Sequence, residues 1–189
     1  MRIITGKFKG RSLSTVRDLS VRPATARVKA AIFNMLQNRL SLQDAAILDL
    51  FAGSGNLGFE ALSRGAKRVS FIDDNRQVLN GIRSNAQMLD CVDQCDIIHD
   101  DALSFIQHCH DEFDLIFADP PYAYTGTVTL PSLIIERKLL KNGGFLIIEH
   151  AKQTTFDSSG MYRLAVQKEF GNTRVSFFST VNDTEDRPL

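Results

Sequence analysis

The chain has 189 residues, 43% hydrophobic and 23% charged, with 22 basic residues balanced by 22 acidic ones. That length and make-up describe one folded domain with a sizeable core, and exclude a disordered, fibrous or disulfide-dense protein. No apolar run reaches the ~18 residues of a membrane span, the first residues lack the apolar stretch of a secretory leader, and three cysteines without C-x-x-C spacing (Cys91, Cys95, Cys109) fit reduced thiols in the cytoplasm.

The neutral total hides an asymmetry. Residues 1–40 carry nine Lys or Arg, including Lys7, Lys9, Arg11, Arg22 and Arg27, against one acid, Asp18. Positive charge concentrated this way favours contact with a polyanion. In chain order, "RIITGKFKGRSLSTV" alternates weakly and turns around Gly6 to Gly10, which predicts a β-hairpin. From Thr25, a suitable N-cap, to Leu40, the spacing of Val28, Ala31, Ile32, Met35 and Leu36 predicts an amphipathic helix. Arg27, Lys29 and Arg39 fall off its apolar stripe and are expected to face solvent or a ligand.

From residue 45 strands and helices alternate. "AAILDLF" (45–51) reads as a buried strand, followed by a glycine-rich turn and a helix to about Arg64. Strands at 67–73, 95–100 and 113–119 follow, with helices from Arg76 to about Leu89 and over "ALSFIQHC". A helix near Leu130 to Leu140 is expected to close at Gly143-Gly144 and lead into a fifth strand, "FLIIEH". Two longer strands, "YRLAVQKEF" and "TRVSFFSTV", are joined through Gly171-Asn172, a hairpin signal, before a polar tail at 182–189. Repeated β-α-β units predict an α/β doubly wound, Rossmann-like sheet, mostly parallel with a C-terminal antiparallel hairpin. The expected organisation is a 1–40 extension packed on a domain spanning 41–181. Ligands of such sheets gather at the carboxyl ends of the strands.

The first strand ends "LDLFAGSGNLG": Gly53, Gly55 and Gly58 fit G-x-G-x-x-G, with Asp73 at the next strand tip. A nicotinamide dinucleotide and S-adenosylmethionine both remain open as ligands here. Asp49 would oppose an ammonium group, Asp73 would accept ribose hydroxyls, and Asp101 would accept from an adenine amine. Carboxylates at three consecutive strand tips suit a cationic adenosine ligand better than a pyrophosphate, although each Asp singly could be a helix N-cap.

The fourth strand ends at Asp119-Pro120-Pro121-Tyr122. An exocyclic nucleobase amine is a poor nucleophile because its lone pair is delocalised into the ring. Asp119 and the Pro120 carbonyl, both accepting from its N–H groups, would draw that nitrogen toward tetrahedral geometry. The prolines keep the peptide rigid, and Tyr122 offers a stacking face. His99, His108, His110 and His150 have no partners that suggest a metal set, and none is expected. Phe33, Phe59, Phe177 and Phe178 read as core.

"MRIITGKFKGRSL", "RPATARVKAAIFNML", "DLFAGSGNLGFEALSRGA", "FDLIFADPPY", "GGFLIIEH" and "FGNTRVSFF" together resemble the bacterial RsmD family. The resemblance covers about Met1 to Phe178. It implies a class I S-adenosylmethionine-dependent methyltransferase acting on the exocyclic N2 of one guanine, guanine-966, in 16S ribosomal RNA of an assembling small subunit. A cytoplasmic monomer without metal or membrane contact is expected. By this resemblance Asp49, Phe51, Gly53 and Gly55 match the cofactor loop, Asp73 (rather than Asp74) the ribose acid, and Asp101 with Ala102 the adenine site. Asp119 to Tyr122 match the catalytic motif. Arg11, Arg22, Thr25 and Arg27, with Lys7 and Lys9 beside them, match N-terminal elements that approach RNA and cap the cofactor pocket. Ala24, Ala26, Asp74 and Asn75 depart from the family's usual residues. A DNA adenine-N6 methyltransferase, or another amino-group nucleic-acid methyltransferase, would share the Asp-Pro-Pro-Tyr chemistry.

Overall fold

A computed structural model of the chain describes residues 1–14, 26–157 and 159–181. Among these residues seven strands form one sheet: β1 Ala46–Leu50, β2 Arg68–Asp73, β3 Cys95–His99, β4 Phe113–Ala118, β5 Leu140–Ala151, β6 Tyr162–Phe170 and β7 Thr173–Thr180. Their spatial order is β3-β2-β1-β4-β5-β7-β6. The first five run parallel, and β7 lies antiparallel between β5 and β6. The strand order reverses at β1, flanked by β2 and β4, so a crevice opens there beyond the carboxyl ends.

The helices are α1 Ala26–Leu36, α2 Asn56–Ser63, α3 Arg76–Met88, α4 Ala102–His108 and α5 Leu130–Glu136. Alternate side chains of each strand serve opposite faces, which divides the core in two. Ile47, Phe71 and Phe117 pack with Phe33, Phe59 and Leu79 from α1, α2 and α3. Leu48, Ile72 and Ile116 pack with Ile106 of α4 and Leu130 and Ile134 of α5. Phe33, Phe59, Phe177 and Phe178 are all buried, as the sequence predicts.

The N-terminal hairpin is present in reduced form. Arg2 and Ser12 make a single antiparallel bridge, and the loop is anchored on α2 instead of extending into strands. Glu60 accepts from the N–H groups of Ile4 (2.8 Å) and Thr5 (3.1 Å), and Lys7 N donates to the Ser63 carbonyl at 2.7 Å. Ile3 and Leu13 enter the same core as α1 to α3. This covering segment corrects one expectation. Lys29 is 1% exposed, with Nζ 3.2 Å from Glu60 Oε2 and donating to Asn56 Oδ1 (2.7 Å) and the Arg2 carbonyl (2.9 Å). The first residues wall off a helix face that would otherwise meet solvent. Burial pushes the Lys29 pKa down, against the pull of Glu60.

Three boundaries also differ. The first helix ends at Leu36, not Leu40. The fifth ends at Glu136 and is closed by Lys138, at φ 56°, with Lys138 N bonded to the Ile135 carbonyl and Leu139 N to the Ile134 carbonyl. Gly143 and Gly144 therefore do not stop that helix; they lie within β5, where Phe113 pairs with Leu140 but Leu115 pairs with Phe145. A Cβ on Gly144 would stand 2.7 Å from the Asp114 carbonyl oxygen, so the irregularity requires a residue without one.

Candidate active site

Asp49 is the exception in a strand otherwise apolar and buried. It is 3% exposed, and its Oδ2 accepts from Gly58 N–H at 3.0 Å, joining the end of β1 to the first turn of α2. Burial raises its pKa to about 8; the Gly58 hydrogen bond opposes that rise and nearby Asp73 adds to it. The intervening turn needs unusual backbone: Phe51 lies at φ 58° and Gly55 at φ 72°. Gly58 answers a different demand. A Cβ there would sit 2.3 Å from the Phe71 ring, so α2 packs on β2 at glycine distance.

At the β2 tip, Asp73 accepts from Gly53 N–H and Asn75 N–H, both at 2.9 Å. Its carboxylate thus fixes the glycine loop from the neighbouring strand. Burial raises its pKa while those two bonds lower it. Asp101, beyond the β3 tip, caps α4 through Oδ1, which accepts from Leu103 N (2.9 Å) and Ser104 N (3.0 Å). The capping role weighed for it from sequence is therefore real, and it lines the cleft as well.

Beyond β4, Asp119 is partly buried, Pro120 buried, and Pro121 and Tyr122 exposed. Burial holds the Asp119 pKa well above the usual carboxylate range, and the charges of Glu149 and Asp49 push it the same way. Tyr124 N donates to the Pro121 carbonyl at 2.8 Å, closing the loop, and the Tyr124 ring meets Phe51 edge-on at 5.0 Å. Two polar atoms at this end of the sheet, Tyr124 Oη and Glu149 Oε2, are buried without a hydrogen-bond partner.

These tips share one cleft of about 850 Å³. Of the predicted cofactor residues it gathers Asp49, Phe51, Gly53, Asp73, Asp101 and Ala102; Gly55 stands just behind as the N-cap of α2. All four residues from Asp119 to Tyr122 line it, and so do both Asp73 and Asp74. Among the basic residues expected near RNA, Arg27 lines it, while Lys7 and Arg11 are held elsewhere. Lys7 Nζ donates to Gln94 Oε1 at 2.7 Å, just before β3, and Arg11 donates to the Met88 carbonyl at the end of α3. Both sites lie toward the amino ends of the strands, away from the cleft. Lys9 is exposed in the same loop. Arg22 and Thr25 lie outside the described residues.

Tyr124, Glu149, His150 and the β6–β7 turn (Phe170 to Thr173) also line the cleft; the sequence marks His150 only as a histidine without a metal set and Gly171-Asn172 only as a hairpin turn, and places none of these residues at the site. Glu149 had a usable signal, since it ends the apolar run "FLIIEH" as Asp119 ends "FDLIFAD". His150 bonds Ser176 Oγ at 2.8 Å, and burial lowers its pKa, so it lines the wall as a neutral ring. Among the described residues no group of three or more His, Cys, Asp or Glu is placed to hold a metal ion, and no helix is long and apolar enough to cross a membrane.

The donor set discriminates between the two cofactors. Asp49, Asp73, Asp101, Asp119 and Glu149 face one space in which Arg27 is the only Lys or Arg among the described lining residues. A pyrophosphate would meet repulsion from the ionised acids there, and the Asp49 carboxyl already takes the Gly58 N–H in the first turn of α2 that would have to receive it. A ligand with a cationic amino-acid end and a ribose fits.

Residues 1–179 match the family described as conserved hypothetical protein 95. The ribosomal RNA small subunit methyltransferase D of Haemophilus influenzae is 34% identical over 174 residues, covering 90% of this chain and 89% of that one. A solved Escherichia coli structure, yhhF, a methyltransferase by assignment, superposes with a TM-score of 0.83 at 28% identity, covering 95% of this chain and 97% of that one. A Thermus protein, TTHA0928, shares the fold with a TM-score of 0.82 at 23% identity, covering 95% and 99%.

Proposed function

We infer the function from one premise: this chain belongs to the RsmD family, whose family description matches residues 1–179. It is an rRNA methyltransferase that uses S-adenosylmethionine. The finer reading is that it methylates the exocyclic N2 of one guanine, guanine-966, in 16S ribosomal RNA of an assembling small subunit, acting as a cytoplasmic monomer. The observation that carries this reading is the meeting of Asp49, Asp73 and Asp101 with Asp119-Pro120-Pro121-Tyr122 on a single acidic cleft.

When bound, S-adenosylmethionine supplies a methyl group on a sulfonium, already a strong electrophile. Asp49 would hold its ammonium end, Asp73 its ribose hydroxyls and Asp101 its adenine amine. The protein's work is then to position an extruded guanine and exclude water. Asp119, as a carboxylate, accepts from the N2 amine together with the Pro120 carbonyl, so the nitrogen lone pair is freed from the ring. Tyr122, 61% exposed at the mouth, offers its face to the base. Transfer of that methyl group to N2 would leave the nitrogen with one proton to lose, which Asp119 or solvent can accept. Because burial and two neighbouring acids keep Asp119 protonated to higher pH than an ordinary carboxylate, activity should rise with pH as it ionises.

Asp119→Ala tests the assignment. Methylation of small-subunit RNA should be lost while S-adenosylmethionine affinity stays within a few-fold of wild type. Normal turnover by that variant would show that the catalytic role lies elsewhere.

A further inference from the structure

Glu149 has a hydrogen bond with Thr173, but one of its two oxygens has an unmet need next to the reacting centre. Ala118 of β4 is in register with Ile148 of β5, so Asp119 and Glu149 occupy the next step of two adjacent parallel strands, whose backbones run about 4.8 Å apart. Both side chains line the cleft. Glu149 Oε2 is buried without a partner. A buried carboxylate oxygen left unpaired is costly, and the natural remedy is a donor that arrives with the ligand.

A guanine presented to Asp119 through N2 carries such a donor. Its N1–H lies beside the N2 amine on the same edge, so two neighbouring carboxylates can divide the donors between them. Adenine has a lone pair at N1, which an ionised carboxylate repels. Resting on the guanine-N2 reading above, we propose that Glu149 is the residue that makes this site specific for guanine, its carboxylate accepting from guanine N1–H while Asp119 holds the N2 amine. A shared Asp-Pro-Pro-Tyr loop then serves guanine here because of the acid on the next strand. The three N–H donors on the base serve Asp119, the Pro120 carbonyl and Glu149 in turn, and hydrogen bonds to the charged forms offset the burial that raises the Glu149 pKa.

The test replaces the target guanine in small-subunit RNA by 2-aminopurine, which keeps the 2-amino group but has an acceptor at N1. Wild-type protein should favour guanine by ~100-fold or more in kcat/KM, because 2-aminopurine leaves the buried carboxylate facing a lone pair. Glu149→Gln can turn its amide N–H₂ toward that lone pair, so the preference should fall below about tenfold, as one charged hydrogen bond is removed and a neutral one gained. S-adenosylmethionine affinity measured by calorimetry should stay within a few-fold in the variant, as a folded site requires. Equal use of both bases by wild type, or an unchanged ratio in Glu149→Gln with wild-type transfer intact, overturns the role of Glu149 alone. Absence of transfer to guanine by wild type overturns the guanine-N2 reading along with it.

Discussion

Replacing Asp49 by Asn should stabilise the fold and cripple the site at once. Unfolded Asp49 releases its proton near 3.8, whereas in the fold it keeps it until about 8. Between those values the folded state binds more protons, so this group's contribution to stability is full below the lower value. It falls as pH rises, by about 1.4 kcal/mol per pH unit. The substituted amide cannot ionise and retains an oxygen for the Gly58 N–H. The stability difference between variant and wild type should therefore widen by ~3 kcal/mol in favour of the variant from pH 5 to pH 7, then level off above about pH 8. Urea unfolding at each pH measures it, and the acids common to both proteins cancel in the difference. Parallel stability curves from pH 5 to pH 7 would refute the argument, since Asp49 would then ionise as an ordinary carboxylate. The same side chain predicts proton release when a cationic cofactor binds. Calorimetry of wild type at pH 7 in buffers of different ionisation enthalpy should report release of most of one proton from this group, and the Asp49→Asn variant should lose that release.

Three further substitutions probe the supports of the site. Gly58→Ala places a methyl group 2.3 Å from the Phe71 ring and should cost ~1–3 kcal/mol, read as a lower urea midpoint; an unchanged midpoint would contradict the close packing of α2 on β2. Lys29→Met removes one of the two cations on fully buried Glu60, leaving Arg64 at 2.9 Å, and should cost ~3 kcal/mol in the same assay. A loss well under 1 kcal/mol would mean that Arg64 alone satisfies Glu60. Tyr122→Ala should weaken productive binding of RNA by ~1–3 kcal/mol while S-adenosylmethionine affinity is unchanged; an unaltered kcat/KM would remove Tyr122 as a stacking face.

Local patterns made the parallel sheet legible. Runs such as "AAILDLF" and "FDLIFAD" are apolar because both faces are covered, and the carboxylates that end them stand out against that background. The same contrast exposed Asp49, Asp73, Asp101 and Asp119 as cleft residues. What the sequence hid depends on partners distant in the chain. Lys29 looked solvent-facing because Glu60 and the Arg2 carbonyl reach it only through the fold. Gly143-Gly144 resembled a helix stop, yet Lys138 adopts the left-handed conformation and the glycines let β5 pass close to Asp114. The insertion of β7 between β5 and β6 brings the β6–β7 turn over the cleft, a proximity that no local pattern records. Lys7 and Arg11 show the reverse: their charge was plain, but their place near Gln94 and Met88, away from the cleft, was not.

Methyl transfer to guanine N2 is decided by the identity of the product. Small-subunit RNA from cells lacking this protein, incubated with it and isotopically labelled S-adenosylmethionine, should be digested to nucleosides and analysed by mass spectrometry. Label should appear in N2-methylguanosine, confined to a single position of 16S RNA. Label in N6-methyladenosine, or in DNA supplied alongside and not in guanosine, would contradict it.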